Sequence, residues 1–213
     1  MIVELAIVGA LLLAVAVGRR GDPDGPSGGS GRGVRPRDAT PSPEIETIIV
    51  AAARAYGLEP AFVLAHAAHE SRFIPDVGLN TLGRTDLPEG QVPERSIGLC
   101  GVNVNPRTHV GQRRLALIKQ ELGLATDHEA VEALREPAFN CGFFCAHIAT
   151  PARDHWRDRG LTGFELWVAV RVWMYSTGYS PTSGPGASKA ELFRPTLRRW
   201  VARYPLAAQE QTP

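Results

Sequence analysis

Glu70 ends a nearly all-apolar stretch, Phe62-Val-Leu-Ala-His-Ala-Ala-His-Glu70-Ser71. A carboxyl among alanines and leucines, at the negative end of a helix dipole, is disfavoured as an anion. It is therefore expected to keep its proton near neutral pH and to serve as a general acid. His66 and His69 stand at i and i+3 with Glu70 adjacent, which raises the question of a metal. A zinc-protease helix needs His-Glu-x-x-His or its inversion, and His66-Ala-Ala-His69-Glu70 is neither, so the pair reads as polar packing. Cys141, Cys145 and His147 fall close together but lack a fourth ligand and a CxxC unit. No metal and no cofactor is implied.

The elements that must position Glu70 are helical. Ser42-Pro43-Glu44 supplies an N-cap, a proline at the first helical position and an early acid, so a helix runs from there to about Tyr56 and stops at Gly57. Pro60 opens the helix that carries Glu70 at its end. The segment 74–95 is rich in Pro, Gly and Asp and reads as a long loop, of the kind that often carries function. Apolar spacing and the breakers Gly123, Pro137, Gly160 and Gly178 predict further helices at about 108–122, 127–135, 137–149, 164–176 and 188–204. The β-branched run Trp167–Met174 is extended by its neighbours past strand length and reads as a buried helix. No strand and no internal repeat is expected, and the fold class is mainly α.

Length and charge bound the rest. The 213 residues suit one domain with terminal segments to spare, and 23 basic against 22 acidic residues leave a net charge of +1, which points to no nucleic acid. Lys119 and Lys189 are the only lysines, so the positive charge is almost wholly arginine. Cys100, Cys141 and Cys145 allow one internal disulfide at most; Cys141 and Cys145, one helical turn apart, suit two small core residues as well as a bond from either to Cys100. Residues 2–18 carry a single charge, Glu4, and stop at Arg19-Arg20. They read as a single-pass N-terminal membrane anchor that would enter a lipid bilayer. The anchor segment 1–20 leads to a Gly/Pro/Arg tether over 21–41, a folded domain over 42–205 and a tail over 206–213.

Four short motifs in order, Glu70-Ser71-Arg72-Phe73, Ser96-Ile97-Gly98-Leu99, Asn140 and Tyr175-Ser176-Thr177-Gly178, resemble those of lysozyme-like lytic transglycosylase domains, relatives of goose-type lysozyme. The resemblance covers roughly 43–205. It implies a lysozyme-like α-helical domain that cuts the β-1,4 bond between N-acetylmuramic acid and N-acetylglucosamine in peptidoglycan. Carried over by position, Glu70 matches the catalytic acid, which protonates the glycosidic oxygen and then takes the proton of the sugar's own 6-hydroxyl, leaving a 1,6-anhydro product. Ser71 matches the serine that contacts the acid or the substrate. Phe73, Ser96, Gly98, Leu99, Tyr175 and Tyr179 are the expected substrate contacts, the aromatic ones as platforms for sugar rings. The resemblance places the domain facing the wall in a bacterial envelope or a phage virion, with virion or envelope proteins as partners. The arginine pair after the anchor would by the positive-inside rule hold the domain on the cytoplasmic side, opposite to the wall.

The chain departs from the family at three positions: Cys100 replaces a methionine, Gly101 a glutamine and Ser176 an asparagine. An insertion of about a dozen residues before Gly98 brings Asp76, Asp86, Glu89 and Glu94, any of which could position water and make the enzyme a hydrolysing muramidase. Loss of the glutamine and asparagine equally fits a non-catalytic wall-binding or structural membrane protein of the same fold. Arg198, Arg199 and Arg203 share one face of the last helix and read as a solvated basic face.

Overall fold

The computed structural model describes residues 38–75, 96–175 and 180–207, apart from the side chain of Tyr175. Among them the fold is mainly α, as expected. Helix α1 spans Pro43–Ala55; the Ser42 hydroxyl accepts the Ile45 N–H at 3.3 Å, and Glu44 and Glu46 sit at the positive end of the dipole. Helix α2, Pro60–Glu70, buries every residue from Ala61 to Ala68. A helix apolar on all sides must be enclosed by others. Here α1 packs on α2 from one side and the last helix, α8 (Gly184–Arg203), from another, while Phe62 stacks on Trp167 of α7 (Gly163–Tyr175) with ring centroids 4.8 Å apart.

Between α2 and the next helix lies a small antiparallel pair, β1 (Ser96–Ile97) and β2 (Val102–Asn103), with Ser96 opposite Asn103 and Ile97 opposite Val102. No strand was expected: two residues per strand are too few for alternation to show. Helix α3 is His109–Leu122, with the Thr108 hydroxyl accepting the Gly111 N–H. Helix α4 is Asp127–Ala133, opened by a Thr126/Glu129 capping box.

Helix α5, Pro137–Phe144, does not end near 149 as its sequence suggests. It widens into a π turn over Cys145–Ala149 and continues as α6, Thr150–Arg157. The Thr150 N–H reaches back to the Cys145 carbonyl, one residue further than in an α-helix, and this wider turn accommodates Pro151, whose ring would clash with an ordinary α-helical turn. Helix α8 likewise starts before the expected 188, with Pro185 in its first turn, where a missing N–H costs little.

The basic face expected on α8 is exposed, and it also fastens the fold. Arg199 donates to the Ala39 carbonyl and the Thr40 hydroxyl, Arg203 pairs with Glu46, and Arg198 lies over the Phe164 ring. The three cysteines are buried thiols, with Cys100 Sγ 3.6 Å from Cys141 Sγ. Residues 2–18 lie outside the described residues, and among the described ones no helix is long and apolar enough to cross a membrane.

Candidate functional site

Directly after Glu70 the chain reverses sharply, with Arg72 and Phe73 both left-handed (φ 54° and 65°). That conformation costs a non-glycine residue about 1–2 kcal/mol. Ser71 helps hold it: its hydroxyl donates to the Ala67 carbonyl and accepts the Phe73 N–H, each at 3.1 Å, and the Phe73 ring is buried against Trp200. The reversal leaves the Glu70 carboxyl at the edge of the core, with 22% of its side chain exposed.

The carboxyl is not in apolar surroundings. Arg171, on α7 and only 3% exposed, places Nη2 2.6 Å from Glu70 Oε1. Its Nη1 lies 2.7 Å from His66 Nδ1, and His66 Nε2 lies 2.9 Å from the Cys100 carbonyl oxygen. A guanidinium has no acceptor, so Nδ1 accepts and Nε2–H donates, which fixes His66 as one neutral tautomer. Burial, and next the charge of Arg171, push the His66 pKa well below its ordinary 6.5. The same two causes in the same order lower His69 to about 4, with its Nε2 3.0 Å from the Thr196 hydroxyl. The expectation of a protonated acid among alanines thus omitted Arg171.

Opposite Glu70 stands the turn between β1 and β2. Gly98 and Gly101 have φ of 77° and 58°, and a Cβ on Gly101 would lie 2.5 Å from Glu70 Oε2. The turn is held from behind by Asn140 of α5, which is fully buried. Its Nδ2 donates to the Ile97 and Leu134 carbonyls, each at 3.0 Å, and its Oδ1 accepts the Cys100 N–H at 2.8 Å.

Between turn and helix lies a cavity of about 160 Å³, bordered by Glu70, His66, Arg171, Ser96, Asn103 and Arg114. Arg114, from α3, donates to the Asn103 carbonyl at 3.1 Å, and burial lowers its pKa below the ordinary arginine value.

Of the expected contact residues, Ser96 shares this cavity with Glu70. Gly98 and Leu99 build the turn and are buried, as are Ser71 and Phe73 in the reversal after α2. The Tyr175 side chain, Ser176 and Tyr179 lie outside the described residues, as do Asp76, Asp86, Glu89 and Glu94. Among the described residues no group of His, Cys, Asp and Glu is placed to hold a metal ion.

Sequence reasoning passed over Arg171 and Arg114. Arg171 had a visible signal, being the one cation inside the apolar Trp167–Met174 run, since a buried charge is almost always paired. Arg114 had none, because its neighbours make an ordinary amphipathic helix. The chain matches no protein-family model, no curated protein and no solved structure.

Proposed function

We propose that this chain is a lytic transglycosylase of lysozyme-like fold that cleaves the β-1,4 bond between N-acetylmuramic acid and N-acetylglucosamine in peptidoglycan, tethered to a membrane by residues 2–18. The observation that carries this reading is a single carboxylate, Glu70, at the end of a buried helix, facing a two-stranded turn across a small cavity. Two-carboxylate hydrolysis needs a partner acid roughly 5–10 Å away. No second acid borders the cavity among the described residues. A mechanism in which the sugar's own 6-hydroxyl is the nucleophile needs only one.

Arg171 occupies Oε1, so Oε2 is the oxygen that gives its proton to the glycosidic oxygen as the C1–O4 bond breaks. The 6-hydroxyl then adds to C1, and its proton passes to the same Oε2, which restores the acid and closes the anhydro ring. Arg171 stabilises the carboxylate that exists between these two transfers. Mass spectrometry of fragments released from purified peptidoglycan by the full chain tests the reading. Anhydro-muramyl ends that disappear with Glu70→Gln are expected. Reducing ends would make the enzyme a hydrolase and turn attention to the acids of 74–95, and no release at all would remove the catalytic reading.

The Glu70–Arg171 pair favours a second reading. A carboxyl with a buried counter-ion is accounted for as one half of a structural ion pair, so its presence does not by itself require catalysis. A non-catalytic wall-binding protein is that alternative; it predicts wall binding without release.

A further inference from the structure

Among the described residues that border the Glu70 cavity, cations outnumber carboxylates. Arg114 and Arg171 supply two guanidinium groups against the single carboxylate of Glu70, and His66 is neutral. Arg171 is paired with Glu70, whereas Arg114 has only the Asn103 carbonyl and no carboxylate among the described residues. A partly desolvated cation without a counter-ion is costly, and a ligand anion would relieve that cost.

Arg114 also borders a second, larger depression of about 440 Å³ on the outer side of α3, formed with Val110, Arg113, Leu117, Gln120 and His147. Arg114 borders both hollows, so the two lie on either side of one guanidinium-bearing side chain. Arg113 there is exposed and makes no ion pair among the described residues. Glu121 is already engaged by His147, 2.6 Å away. Val110, 52% exposed, and Leu117 give the groove an apolar floor. Guanidinium forks match carboxylate geometry, and the mixture of arginine, amide and aliphatic surface suits a short acidic peptide.

We propose that Arg113 and Arg114 form a carboxylate-binding subsite next to the Glu70 cavity, and that it takes the free carboxylates of the peptide carried on the muramyl sugar. This rests on the peptidoglycan reading above and adds to it a requirement that the glycan be peptide-substituted.

The test is the affinity of the full chain for a soluble N-acetylglucosaminyl-N-acetylmuramyl pentapeptide, which lacks the scissile linkage, beside the same compound with its carboxylates amidated. Amidation is expected to weaken binding about tenfold, or about 1.4 kcal/mol, with a smaller difference at high salt, where exposed charges are screened. Arg113→Gln, at an exposed position where folding is not at stake, is expected to remove the preference. Arg114→Gln should do the same, with its folding checked by thermal melting.

Equal affinity of the wild-type chain for the free and amidated compounds, or a full preference retained by Arg113→Gln, overturns the subsite. If peptidoglycan is nonetheless cut, the catalytic reading stands without it. If neither compound binds and the wall is not cut, both fall.

Discussion

Glu70 is held from two sides by residues far away in sequence. Arg171 fixes Oε1 through a guanidinium that is itself oriented by His66, and Gly101 leaves the space in which Oε2 sits. At first sight Gly101 is a loss, since the resembled family has a glutamine there. In this chain, however, a side chain at 101 and the present placement of Glu70 exclude each other. Gly101→Ala is therefore expected to act twice. It strains a backbone with φ near 58° and drives a methyl into the carboxyl. A loss of about 1–2 kcal/mol of stability in urea titration should accompany loss of the proposed peptidoglycan cleavage. A variant of full stability and activity would show that Glu70 works from another position.

At the scale of elements, the β1–β2 turn cannot hold itself in place. Two residues per strand give little cross-strand stabilisation, and the turn depends on Asn140 to tie it to α5 and to the Leu134 carbonyl at the end of α4. Asn140→Ala would remove the amide's bonds to the Cys100 N–H and to the Ile97 and Leu134 carbonyls, all at buried residues. At about 1–3 kcal/mol per unsatisfied group, partly relieved by relaxation, a loss of about 2–4 kcal/mol is expected. It should appear as a lower urea midpoint with an unchanged slope. Asn140 was visible in the sequence as one of the four motif positions, but its role as a clamp was not, because its partners lie on two other elements. The π turn at 145–149 was equally hidden: Pro151 reads locally as a stop, and only the registry of the preceding turn makes room for it.

Across the whole molecule, acid should loosen the fold through its histidines. Both His66 and His69 have depressed pKa values, so the unfolded chain binds protons that the folded chain refuses. The stability tied to neutral His69 is fully present above the unfolded value near 6.5 and is lost as pH falls towards the folded value of about 4, below which it changes no further. Its slope in that window is at most about 1.4 kcal/mol per pH unit, and less because the ring is only partly shielded from solvent. His66 acts in the same direction. Melting temperatures from pH 7 down to 4 should fall, and His69→Gln should flatten the decline; an unchanged decline would assign it to other groups.

What the sequence determined by itself is what neighbouring residues settle among themselves. The cap at Ser42, the helix carrying Glu70 and the helical rather than extended state of Trp167–Met174 are all fixed within a turn or two, where periodicity and hydrogen-bonding chemistry are legible. Tertiary structure alone decided that α7 lies against α2 so that Arg171 meets Glu70, that Gly101 faces the same carboxyl, and that Arg114 borders its cavity. The ion pair in particular could not be read from local composition. Desolvation of a carboxyl can be estimated from its own helix, but the counter-ion that offsets it arrives by packing and leaves no mark on the residues around Glu70.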